Sequence, residues 1–255
     1  MGVDYVLFDR LAELSTRFTP NGRTLMLGRQ AFNIQTRYRQ MYEATLKRHG
    51  IEGKRFDFLQ DDGFAETLMR KLGFGEIETM DFSNYEGAGV IHDLNQLPSE
   101  DLEGQFDLIF DGGTVEHVFN VPNALEGIFR MLKPGGRFIS ANGLNGWYGH
   151  GMYQFNPELV WTFWGRACNC KVIDCRAVPV DPDQDFEQVE FEDPAITGHR
   201  LWLKGKIGPG RTYLYYEVEK TQESHLPKFA LQSDYETKWA GHETAGDTRL
   251  KQARG

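Results

Sequence analysis

Apolar positions follow two different periods along this chain. Between Asp4 and Leu14, the residues Tyr5, Leu7, Phe8, Leu11 and Leu14 recur at helical spacing and predict an amphipathic helix able to lie over a sheet. Thr24–Leu27 is a short apolar run and the first predicted strand, after a turn at Pro20-Asn21-Gly22. Helices follow over Ile34–His49 and Phe64–Leu72, stopped by Gly50 and Gly73. Residues Ile51–Phe64 between them show no clear period and read as an insertion. Glu76–Met80 and Gly89–His92 are the second and third predicted strands. Phe106–Phe110, apolar apart from Asp107, suits a buried parallel strand.

That fourth strand runs into Asp111-Gly112-Gly113, which places a carboxylate where the backbone must turn. Ala124, Leu125, Ile128, Phe129 and Leu132 then mark a helix, with Asn123 as its expected N-cap. Lys133-Pro134-Gly135-Gly136 ends that helix, because proline cannot continue it and glycine accepts positive φ. Arg137–Ser140 opens the fifth strand. Seven of the eighteen residues from Trp147 to Trp164 are aromatic, and Asn156-Pro157-Glu158 starts a helix running to Trp164. Val172–Ala177 and Arg211–Glu219 supply the remaining strands. Asp181–Asp193, with seven acids and no base, reads as a solvated loop. A single domain over residues 1–240 is expected, with 241–255 as a loose tail.

The 255 residues suffice for one large core. A formal net charge of −9 argues against general nucleic-acid binding, which depends on lysine and arginine at phosphates. No apolar run approaches the roughly 20 residues of a membrane span, and the N-terminus carries no signal pattern, so a cytoplasmic location is expected. Cys168, Cys170 and Cys175 are odd in number and lack familiar zinc spacing, so they read as reduced thiols.

The run Phe106–Ile139 resembles the fourth and fifth strands of class I S-adenosylmethionine-dependent methyltransferases: Asp111 after strand four, Glu116-His117 soon after, and Leu132–Gly136 before strand five. Over most of the chain the pieces Leu27–Gln30, Asp111–Asn120, Gly149–Glu158 and Gln232–Tyr235 are similar to methyltransferase-like proteins of bacterial surface-polysaccharide gene clusters. The resemblance implies an α/β, Rossmann-like doubly wound fold, with a mostly parallel seven-stranded sheet and an antiparallel last strand. It implies S-adenosylmethionine as cofactor. The family's first loop, acid-x-Gly-x-Gly-x-Gly, is reduced here to Gly28, with Met26, Gln30 and Phe32 at the other motif positions. Arg29 or Gln30 is then expected to meet the methionine carboxylate by side chain. Asp81 is expected at the ribose hydroxyls, Asp93 and the Leu94 amide at adenine, and Asp111 with Gly112 near the reaction centre. Asp81 and Asp111 also have a plain reading as turn formers.

Residues Asn142–Glu158 follow strand five, where the family binds its acceptor. His150 is the first candidate for a base and His117 the second, since an imidazole titrates near neutrality. Trp147, Tyr153 and Gln154 are candidate substrate contacts; the alternative reading of the aromatics is plain hydrophobic cover. Glu116-His117 is otherwise structural, with the histidine under the sheet edge. No metal is expected: Gly113 is not an acid, so a metal on the pair would need a donor from elsewhere, such as His150. The expected function is methyl transfer to a small acceptor, a sugar or nucleotide-sugar hydroxyl. The alternatives are a non-catalytic binding or assembly subunit, and a binder of another nucleotide ligand that uses Arg29 for phosphate. The oligomeric state is not set by the sequence.

Overall fold

A computed structural model describes residues 2–183, 186–239 and 242. In chain order the strands are β1 (Gly2–Val3), β2 (Arg23–Leu27), β3 (Ala31–Phe32), β4 (Glu76–Asp81), β5 (Val90–Ile91), β6 (Phe106–Asp111), β7 (Leu132–Asn145), β8 (Lys171–Pro179), β9 (Val189–Glu190) and β10 (Thr212–Glu219). The helices are α1 (Tyr5–Ser15), α2 (Arg39–Arg48), α3 (Glu66–Lys71), α4 (Val121–Met131), α5 (Pro157–Leu159), α6 (Pro194–Thr197) and α7 (Ser233–Trp239). A π-helix, Val160–Ala167, continues α5. The expected tail at 241–255 lies outside the described residues, apart from His242.

The main sheet has eight strands in the order β5-β4-β2-β6-β7-β10-β8-β9, and β1 pairs separately with β3. Strands β5, β4, β2, β6 and β7 are parallel. β10 runs antiparallel between β7 and β8, as the Rossmann-like reading implied. The count of seven is corrected to eight. The extra edge strand β9 pairs with Arg176 and Ala177 inside the stretch expected to be a solvated loop. Its neighbour Phe191 explains this, since it is 3% exposed and its amide donates to the Cys175 carbonyl. One buried aromatic side chain outweighs the preference of the surrounding acids for water.

Alternation along the strands feeds two cores. Leu25, Leu27 and Ile109 face the layer that holds α4 and the π-helix. Met26, Leu108 and Phe110 face the layer of α1, α2 and α3. Local signals also moved. The α4 cap is Asn120, whose side chain accepts from the Asn123 amide at 3.4 Å, while Asn123 Nδ2 bonds the Asn95 carbonyl at 2.9 Å. The predicted helix at 156–164 is mostly π. Strand order reverses between β2 and β6, so their carboxyl ends open the crevice where such sheets take ligands.

Candidate functional site

At the carboxyl end of β2, Gly28 has φ +66°, and a Cβ there would stand 2.7 Å from Thr114 Oγ1. The turn leads to Gln30, which is 2% exposed. Gln30 Nε2 donates to the Leu27 carbonyl at 2.7 Å, and the Thr114 hydroxyl donates to the same carbonyl at 2.8 Å. These bonds join the β2 and β6 loops. Gln30 Oε1 is buried with no hydrogen-bond partner among the described residues, and a Cβ on Gly112 would meet it at 2.9 Å. The turn after β2 therefore holds a fixed, buried amide oxygen beside a bare glycine.

Arg29 does not face this crevice as an available cation. Its guanidinium donates to Glu66 at 2.5 Å, Asp62 at 2.7 Å and the Glu86 carbonyl at 2.8 Å, and it lies 4.0 Å over the Phe64 ring. It braces the insertion. The expected contact to a carboxylate or phosphate through Arg29 is corrected accordingly, because its donors are spent on the two acids and the carbonyl.

Asp81 and Asp93 sit at the ends of neighbouring strands, and both are partly exposed. Asp81 Oδ1 accepts from the Phe82 amide at 2.6 Å, and Asp93 Oδ1 accepts from the Asn95 amide and side chain. Those bonds hold the Asp93 carboxyl below its ordinary range. The second oxygen of each has no hydrogen-bond partner among the described residues. Leu94 is buried at the turn beside Asp93.

Asp111 behaves differently. It is fully buried, with Oδ1 accepting from the Thr114 amide at 2.7 Å and the Gly113 amide at 3.1 Å. Its Oδ2 accepts from Ser140 Oγ at 3.0 Å and Asn142 Nδ2 at 2.9 Å. Burial raises its pKa against these bonds. Both oxygens are occupied, so Asp111 shapes the turn rather than reaching a ligand, and the expected cofactor contact is corrected to this positioning role.

Glu116 is 1% exposed, and its Oε2 accepts from the same Asn142 Nδ2 at 2.9 Å. Desolvation first, then the Asp111 charge, pushes its pKa up to about 8. His117 is exposed rather than tucked under the sheet, and its ring centroid is 5.0 Å from that of His150. The residue 146–156 loop folds over this turn, with the Met152 and Tyr153 amides donating to the Glu116 carbonyl at 2.9 and 3.2 Å. Burial lowers the pKa of both histidines, which keeps them neutral near pH 7.

Of the expected substrate contacts, Trp147 is 6% exposed and donates through Nε1 to the Thr212 carbonyl. It is a wall behind His150, so its place at the acceptor surface is corrected. Gln154 Oε1 accepts from the Trp147 amide at 3.2 Å, closing the loop. Tyr153 remains partly open, and its hydroxyl donates to the Phe119 carbonyl at 2.9 Å. The open rim is instead Phe119 and Tyr148, 73% and 81% exposed. Sequence reasoning missed Thr114, Ser140 and the bridging Asn142, whose partners lie up to 87 residues away. A separate groove of about 640 Å³, lined by Leu125, Phe163 and Phe229 among others, shares none of these residues. No helix among the described residues is long and apolar enough to cross a membrane.

Residues 69–140 match the family model described as a methyltransferase domain. The match starts after the Gly28–Gln30 turn and ends within β7. No curated protein sequence matches the chain. Among solved structures, the chain is similar to the Burkholderia thailandensis 1,6-didemethyltoxoflavin-N1-methyltransferase with bound 1,6-didemethyltoxoflavin and S-adenosylhomocysteine. That likeness has 16% identity, 86% of this chain and 80% of that one covered, and a TM-score of 0.44. It is also similar to a SAM-dependent methyltransferase of Thermotoga maritima (15% identity, 85% and 93% covered, TM-score 0.38). A third likeness is to the [4+2]-cyclase SpnF (14% identity, 84% and 80% covered, TM-score 0.43).

Proposed function

We propose that this chain is an S-adenosylmethionine-dependent methyltransferase acting on a small acceptor. One observation carries the reading: Asp81 and Asp93, at successive strand ends beside the switch point, each keep a carboxylate oxygen open. A carboxylate accepts well from a pair of ribose hydroxyls or from an adenine amino group. The family match over residues 69–140 spans these same strand ends.

The amino-acid end of the cosubstrate also finds a partner of the right kind. Gln30 Oε1 is an acceptor fixed by the bond its own Nε2 makes to a carbonyl, and it is buried with no donor among the described residues. An α-ammonium group supplies such a donor. The altered first loop thus offers a side-chain oxygen where the usual motif offers close backbone approach. Bound S-adenosylmethionine supplies a methyl group on a sulfonium sulfur, open to in-line displacement. The protein's part is alignment, which accounts for much of the rate in such displacements.

We assign the acceptor to the side of the crevice formed by His150, His117 and Tyr153, with Phe119 and Tyr148 as its rim. Exposed aromatic faces beside polar tips suit a sugar or nucleotide-sugar hydroxyl. A neutral His150 in the metal-free protein can take the proton that a hydroxyl acceptor must lose.

Calorimetric titration with S-adenosylhomocysteine tests the cosubstrate reading. Micromolar binding is expected, lost in Asp81→Ala and Asp93→Ala. Absence of binding to the folded wild-type chain refutes it and favours a non-catalytic subunit.

A further inference from the structure

Glu116, His117 and His150 come together from two segments, and their donor atoms all lie within 4.8 Å of one another. We propose that they form a binding site for one divalent transition-metal ion. The site as such does not depend on the methyl-transfer reading.

Four observations carry it. The first is the donor set: two imidazoles and one carboxylate suit zinc, iron(II), cobalt(II) and similar ions, and leave positions open for solvent or substrate. The second is Glu116 Oε1, a carboxyl oxygen on a 1% exposed side chain, with no hydrogen-bond partner among the described residues. It lies 4.0 Å from His150 Nε2. A buried acceptor left unsatisfied is costly, and a cation is one group that would satisfy it.

The third observation is support behind the donors. Asn142 Nδ2 holds the other Glu116 oxygen at 2.9 Å, which turns Oε1 toward the histidines. Trp147 lies against the His150 ring at 5.0 Å between centroids. Such outer contacts orient ligands in metal sites. The fourth is the attachment of the loop. Met152 and Tyr153 donate to the Glu116 carbonyl, and a Cβ on Gly151 would stand 2.8 Å from Glu116 Cγ. The glycine allows the loop bearing His150 to lie directly on the turn bearing Glu116 and His117.

Donors about 2.1 Å from a shared tetrahedral ion stand about 3.4 Å apart. The observed spread of up to 4.8 Å therefore has to close by up to about 1.4 Å, a distance within reach of side-chain rotation at exposed His117 and partly exposed His150. Metal would change His150 from base to ligand. On the methyl-transfer reading, a Lewis acid here would acidify an acceptor hydroxyl. The hydroxyl proton would leave to water, the oxygen–methyl bond would form, and the sulfur–methyl bond would break to give the neutral thioether.

The test is titration of the metal-stripped full chain with Co2+, read by visible absorption and calorimetry. One equivalent is expected, displaced by Zn2+ and free of thiolate-to-metal bands from the buried cysteines. His117→Gln and His150→Gln are each expected to weaken binding by about 100-fold or more, since even outer contacts contribute 10–100-fold. His199→Gln is expected to leave it unchanged. His117 is exposed, so its variant is expected to fold, and near-ultraviolet circular dichroism checks this. The proposal is overturned if the folded wild-type chain takes up no saturable Co2+, or if uptake survives in the His117→Gln/His150→Gln double variant. S-adenosylhomocysteine binding to the stripped protein is scored separately and decides only the methyltransferase reading.

Discussion

The carboxyl groups of Asp111 and Glu116 share a single donor: Asn142 Nδ2 lies 2.9 Å from an oxygen of each. Two buried acids on one amide make Asn142 the tie of the region, because it fastens the turn after β6 to the neighbouring strand β7. Asn142→Ala leaves two buried acceptors short of a donor. Destabilisation of about 2–4 kcal/mol is expected, measured by urea denaturation.

Glu116 makes stability depend on pH. Burial pushes its folded pKa up to about 8, against an ordinary value of 4.5. The folded state therefore holds a proton that the unfolded chain has already released, and its contribution is full below about pH 4.5 and lost as pH rises through 8. The melting temperature of metal-stripped protein is expected to fall between pH 5 and 8 more steeply than that of Glu116→Gln. Parallel profiles for the two proteins would refute this.

Arg29 and Gln30 are expected to separate cleanly when replaced. Arg29→Ala removes the donor to one oxygen of Glu66, which is 8% exposed and keeps only Gln60 on the other, and is expected to cost about 1–2 kcal/mol in stability. S-adenosylhomocysteine affinity is expected to stay within about threefold, below 1 kcal/mol. Gln30→Ala removes the unsatisfied oxygen itself and is expected to weaken that affinity by about tenfold, or 1.4 kcal/mol. Titration of both variants decides whether charge or the fixed amide serves the cosubstrate.

Gly151→Ala tests the seat of the loop. The added methyl would fall 2.8 Å from Glu116 Cγ and 2.9 Å from its carbonyl oxygen. Overpacking of this kind costs about 1–3 kcal/mol. Loss of Co2+ uptake is expected alongside the lowered denaturation midpoint, because His150 moves with the loop.

The order of strands and helices was legible because burial imposes its period on the chain. Thr24–Leu27 and Phe106–Phe110 can be read as buried strands without knowing their partners, and Gly50 and Gly73 mark helix ends at φ +65° and +84°. The strand β9 was hidden, since two residues in an acid-rich stretch carry no period and only the buried Phe191 fixes them. The Asn123 cap was misplaced by three residues, because both asparagines fit the pattern and only the packing against Asn95 separates them.

By itself the sequence determined the Rossmann-like frame and which polar residues end its strands, because those follow from local pattern and chain order. Only the tertiary structure decided what each of them does. Asp81 and Asp93 keep an open oxygen, whereas Asp111 has both filled by Ser140, Asn142 and its own turn. Arg29 is tied to Asp62 and Glu66, and Glu116 meets His150 across a loop closure. Each outcome depends on how many donors reach a side chain from segments distant in sequence, a number that exists only once the chain has folded.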